Sequence, residues 1–140
     1  MVGLTGRTGL WIDAVGPICA RWDGRNFAKN GRSLRPVGGG GGGKNRRTCP
    51  FGSAISGWQI ESVRSSSMAY VDRITIQCTK LGSSSNAAPA TFVFGGQNNL
   101  PRVPTWHGKQ GCPKDRLATG VSVWTSSDKR FVTNAQLICS

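Results

Sequence analysis

A chain of 140 residues is long enough for one domain with a modest apolar core, and it needs no metal to hold that core together. Twenty glycines and only 17% charged residues suit a turn-rich all-β protein better than a helical bundle, and no apolar run approaches the ~20 residues of a membrane span. Eighteen Lys and Arg against six Asp and Glu give a net charge of +12, a balance that points toward polyanionic partners.

In chain order, the first strand signal is Trp11–Ile18, which alternates so that Ile12 and residues two apart share a face. The segment from Ala20 to Pro36 carries the least pattern and is expected to connect the first patterned stretch to the second. Pro36–Gly43 follows, with six consecutive glycines, Gly38, Gly39, Gly40, Gly41, Gly42 and Gly43, free to adopt positive φ. Val71–Gln77 and Ala118–Thr125 are rich in β-branched residues and are expected to be strands. Clusters such as Ser65–Ser67 and Gly82–Ser85 read as turns. No segment of ten or more residues has a helical period, and Pro89, Pro101 and Pro104 argue against helix in the connections. No charged-then-apolar leader opens the chain, so a secretory signal is expected to be absent or already removed.

Three stretches are versions of one another: Val2–Cys19, Cys49–Cys78 and Cys112–Cys139. Their closing cysteines lie 59 and 61 residues apart. In the two complete copies a Cys-Pro opens the unit, and a glycine (Gly57, Gly120) follows. Repetition at this period predicts a pseudo-threefold domain built from self-similar sheets, with repeats near 1–22, 35–80 and 93–140, the first incomplete.

The repeat-equivalent cysteines argue for two bridges, Cys49–Cys78 and Cys112–Cys139, and hence for an extracellular or other oxidising setting. The alternative is reduced, buried thiols at equivalent core positions. Close Cys-x-x-Cys or Cys/His pairs are lacking, so no metal site is expected. Cys19 matches the closing cysteines but has no opening partner. It is free, bonded between chains, or paired to a segment upstream of Met1.

The run Gly3-Leu4-Thr5-Gly6-Arg7-Thr8-Gly9-Leu10-Trp11-Ile12-Asp13-Ala14-Val15-Gly16 resembles the closing hairpin of jacalin-related lectins. The three-repeat layout, with Asp13 and Asp72 in equivalent slots, also resembles the vitelline membrane outer layer protein group. Both resemblances imply a β-prism of three Greek-key sheets and, for the lectins, a shallow sugar site where a Gly-x-x-x-Asp loop faces a glycine-rich loop. Here Gly9, Leu10, Trp11 and Asp13 would form the first loop and Gly38–Gly43 the second, in the reverse of the family's chain order, as a circular permutation would produce. Asp13 would accept hydrogen bonds from vicinal hydroxyls, the backbone N–H groups of Leu10 and Trp11 would donate to sugar oxygens, and Trp11 would offer an apolar face. For Asp13 the competing role is a turn residue bonding its own backbone, for the glycines a flexible linker, and for Trp11 a place in the core. A second, weaker site would use Tyr70 and Asp72 facing Gly95 and Gly96. In the third repeat Thr133 stands in the aspartate slot, so no sugar is expected there.

Charge competes with this reading. Arg21, Arg25, Lys29, Arg32, Arg35, Lys44, Arg46 and Arg47 cluster with only Asp23 opposing them, and Lys44, Arg46 and Arg47 flank the glycine run. Sulfated or uronic polysaccharides and anionic cell surfaces are the favoured polyanions. Nucleic acid is a poorer candidate, because no helix or RNA-binding signature is present. Catalysis has little support: the lone histidine, His107, sits in a Pro/Gly-rich stretch expected to be a loop. A glycosidase needs two acids flanking one bond, whereas Asp13 and Asp72 fall in different repeats, Asp115 and Asp128 lie in the third copy, and Asp23 and Glu61 have no evident partner. The expectation is therefore a non-enzymatic, cofactor-free carbohydrate-binding domain for anionic or mannose-type glycans, with a homo-oligomer as a further candidate partner. The alternatives are a basic polyanion-binding defence protein and a self-associating extracellular coat protein.

Overall fold

The computed structural model describes residues 1–24, 31–65, 67–82, 89–96, 99–113 and 116–140. Arg25, Lys29, Ser66, Ser83, Ser84, Ser85 and Asp115 lie outside the described residues. Every regular element among the described residues is a strand: β1 (Gly3–Thr8), β2 (Ile12–Cys19), β3 (Arg32–Ser33), β4 (Val37–Gly38), β5 (Gly43–Thr48), β6 (Ser53–Ser65), β7 (Met68–Lys80), β8 (Ala90–Gly95), β9 (Arg102–Gly111), β10 (Ala118–Thr125) and β11 (Val132–Cys139). The all-β expectation holds. No helix long and apolar enough to cross a membrane occurs among the described residues.

The strands form antiparallel, curled sheets. The first has the order β3-β2-β1-β5, with β4 also pairing β2; the second is β8-β7-β6-β9; the third is the hairpin β10-β11. The first two share one topology. A hairpin gains one strand beside its second arm and another beside its first, so the chain crosses over the hairpin end between them. In the first sheet that crossover is the glycine run between β4 and β5, which is therefore not a linker between units.

This arrangement corrects the expected partition. The sheets cut across the sequence repeats, because β4 and β5, which belong to the second repeat by sequence, pair with the hairpin of the first. The sheet with fewest strands is consequently the third, not the first. His107, expected in a loop, lies in strand β9.

All three hairpins carry an irregularity at the same place. Thr8 pairs with Ile12 while Arg7 pairs with Ala14, which leaves Asp13 out of the ladder. Ser62–Val71 and Glu61–Arg73 likewise skip Asp72, and Thr125–Val132 and Trp124–Asn134 skip Thr133. These are β-bulges, which free one residue's main chain and redirect its side chain. The residue before each bulge, Ile12, Val71 or Val132, is fully buried in the main core with Leu4, Val15, Trp58, Ile60, Ile74 and Phe94. The bulge thus lets adjacent residues serve the core and the rim.

The freed carbonyls find equivalent partners. Gly39 N–H donates to Asp13 O and Gly96 N–H to Asp72 O, both at 2.8 Å. The strand delivering each donor approaches so closely that a Cβ on Gly38 would overlap Asp13 O, and one on Gly95 would overlap Asp72 O. Both glycines have positive φ, +133° and +84°. Gly38→Ala is expected to cost at least about 2 kcal/mol from backbone strain alone. Urea denaturation checks this, with Gly40→Ala, whose Cβ would meet open space, as the control.

Two disulfides, Cys49–Cys78 and Cys112–Cys139, close separations of 29 and 27 residues. Loops of that size correspond to about 3 kcal/mol each in the chain-entropy account. Cys49 follows β5 of the first sheet and Cys78 lies in β7 of the second, while Cys112 follows β9 of the second and Cys139 ends β11 of the third. The bridges therefore join the sheets in series and point to an oxidising environment. Cys19 is a free, half-buried thiol.

Candidate functional site

The bulge at Asp13 and the crossover between β4 and β5 meet at one end of the first hairpin. Asp13 is only 5% exposed. An added Cβ would stand 2.5 Å from its Oδ1 at Gly41, 2.6 Å from its Oδ2 at Gly42 and 3.5 Å from its Oδ2 at Gly9. The carboxylate therefore lies directly against bare main chain from two separate segments. Any side chain at Gly41 or Gly42 would collide with it.

The six glycines divide by role. Gly38 and Gly39 hold the Asp13 main chain, as Gly95 and Gly96 hold Asp72. Gly41 and Gly42 face the carboxylate, Gly40 borders open space, and Gly43 begins β5. Arg7 ties the loop down: its Nε donates to Gly41 O at 2.7 Å and its Nη2 to Gly42 O at 2.6 Å. Burial pushes the Asp13 carboxyl above the usual carboxylate range, and the Arg7 guanidinium opposes that push without overcoming it.

Beside the notch three aromatic rings meet, one from each hairpin. Trp11, Tyr70 and Phe131 each stand two residues before the bulged position, and their ring centroids are 5.1 Å (Trp11–Tyr70), 5.9 Å (Trp11–Phe131) and 5.1 Å (Tyr70–Phe131) apart. All three are half-buried, Leu10 at the adjoining turn is 65% exposed, and the Arg130 guanidinium sits 5.5 Å from the Phe131 ring centre. Trp11 is thus neither plain core nor a lone sugar platform; it is one third of an aromatic cap over the three hairpin ends.

The second slot differs in one decisive residue. Asp72 is fully buried and ion-paired with Arg102, whose Nε donates to Oδ2 and whose Nη2 donates to Gly96 O at 3.1 Å. By register, Val103 pairs with Ser62 as Gly43 pairs with Thr8, so Arg102 occupies the place of Gly42. Where the first unit brings bare backbone to its aspartate, the second brings a guanidinium. Tyr70 belongs to the aromatic cap, and Gly95 and Gly96 are engaged with the main chain of Asp72. In the third hairpin the Thr133 slot has no carboxylate, and its turn is held internally by Ser126 Oγ donating to Asp128 Oδ1 at 2.5 Å.

The basic residues also separate. Lys44 and Arg46 alternate on β5 opposite Arg7 and Thr5 of β1, so these four share the outward face. Arg47 pairs with Leu4, a core residue, and so belongs to the other face. Sequence reading missed Arg7, Phe131 and Arg102. Phe131 had a signal, since an aromatic stands two places before the Asp, Asp or Thr slot in every copy; Arg102 had none, being 30 residues from its partner. Set against models of protein families and against curated proteins, the chain matches none.

Proposed function

We propose that this chain is an extracellular, lectin-like protein of β-prism build that binds the hydroxyls of a hexose, mannose-type included, at the Asp13 notch. The observation that carries the reading is the convergence of Gly9 and Asp13, from the β1–β2 hairpin, with Gly41–Gly42, from the β4–β5 crossover, into one contact between a carboxylate and bare main chain. A carboxylate accepts strong charge-assisted hydrogen bonds from neighbouring sugar hydroxyls. Glycines beside it let main-chain groups approach a ring that side chains would hold off. The half-buried Trp11 adds an apolar surface at the same rim. Three hairpins bulged at one register, with their aromatic ends touching, support the pseudo-threefold arrangement. The proposal takes a single site, because Arg102 engages the Asp72 carboxylate.

One shallow site of this kind corresponds to millimolar binding, on the order of 4 kcal/mol. A glycan panel read at two salt concentrations, for wild type and Asp13→Asn, tests the reading. Neutral-hexose signals that persist at high salt and vanish in the variant are expected. Signals unchanged by the variant would end it.

A further inference from the structure

We propose a second binding surface, adjoining the Asp13 notch and sharing only Arg7 with it: a groove on the outward face of the first sheet that takes the sulfate or carboxylate groups of an anionic polysaccharide. The groove has a volume of about 430 Å³ and is lined by Thr5, Arg7, Pro36, Lys44, Asn45 and Arg46. Of the described residues that line it, none is acidic and three are cations. Arg7 stands directly opposite Lys44, and Thr5 opposite Arg46, across the β1–β5 ladder.

Like charges directly opposite one another on a sheet repel, so the free protein carries a local strain that an anion would relieve. The two guanidiniums are already oriented. Arg7 is held by Gly41 O and Gly42 O, and Arg46 donates to Ser33 Oγ and, at 3.3 Å, to Gly31 O. A guanidinium has five donors, so both retain N–H groups for a ligand, and the Lys44 ammonium adds three more. Lys44 and Arg46 are roughly 7 Å apart along the strand, which lets successive anionic groups of one polymer occupy the groove. A polysaccharide fits better than nucleic acid. Among the described residues, no aromatic side chain lines the groove to stack a base, and no helix is placed to enter a duplex.

Heparin-column retention of the full chain tests this, using Lys44→Gln/Arg46→Gln against a charge-matched control, Lys80→Gln/Lys109→Gln, drawn from exposed lysines elsewhere. The groove variant is expected to elute at clearly lower salt than the control, with at least a tenfold loss of heparin affinity at fixed salt and unchanged hexose binding. Thr5→Glu, which places a carboxylate in the groove while keeping every cation, should give the same loss and keeps the test open if the double variant folds poorly. Equal shifts for groove and control variants would show that net charge alone is at work and overturn the proposal. So would a larger loss on immobilised single-stranded DNA than on heparin. Because the notch and the groove are read by different ligands, failure of one leaves the other standing.

Discussion

Asp13→Asn is expected to remove detectable hexose binding at pH 7 while leaving the fold as stable as wild type, or slightly more so. A hydrogen bond to a charged group contributes about 1.5–3 kcal/mol, so losing the charge at a bidentate acceptor costs on the order of a hundredfold from an already weak affinity. Stability moves the other way because burial, the larger effect, raises the Asp13 pKa in the folded protein, with Arg7 only partly opposing it. A carboxyl whose folded value is raised contributes stability that is complete below its unfolded value, near 3.9, and is lost as pH rises through the folded value. At neutral pH the ionised group is therefore a net cost that asparagine removes. Hexose binding should fade on acidification at a higher pH than an ordinary carboxylate would dictate. Thermal melts and hexose titrations from pH 3 to 8 check both halves; a variant that binds normally, or one that is clearly less stable at pH 7, contradicts this account.

Arg102→Met is expected to do the opposite, costing about 3–5 kcal/mol of stability because it leaves the fully buried Asp72 carboxylate without its guanidinium. Pairing it with Asp72→Val removes both charges, and most of the loss should return, since apolar replacements for a buried ion pair are often close to neutral. Denaturant unfolding of the two single variants and the double variant closes the cycle. A small loss for Arg102→Met would mean that the pair is solvated and that the second slot is more open than its burial indicates. The two aspartates then serve as mutual controls, one kept at a cost to the fold and the other required by it.

The repeats made much of this legible beforehand. Asp13, Asp72 and Thr133 could be placed in one slot from the sequence because the apolar residue before each and the cysteine after each keep step. What the slot is, a β-bulge, was not legible, because a bulge is a mismatch between two strands and each strand alone reads as ordinary alternation. The division into sheets was misread for a related reason. A repeat period locates equivalent residues but not the edge at which one sheet ends, and β4 and β5 sit between two hairpins with equal claim on either. The glycine run could be a linker or a loop by composition. The Gly39 N–H bond to Asp13 and the Arg7 bonds to Gly41 and Gly42 decide for the loop, and those partners lie 26 to 35 residues away.

The series arrangement of the two disulfides has a mechanical outcome. First to second and second to third, the sheets are riveted by sulfur. Between third and first the seam is closed without a covalent tie among the described residues, by packing of β10 against β2 and β4 and by the Met1 amino group donating to Ala118 O. Thermal fluctuation should part the two sheets there, as a bracelet opens at its clasp, so amide exchange in β10 should outpace exchange in the middle of β6 and β7.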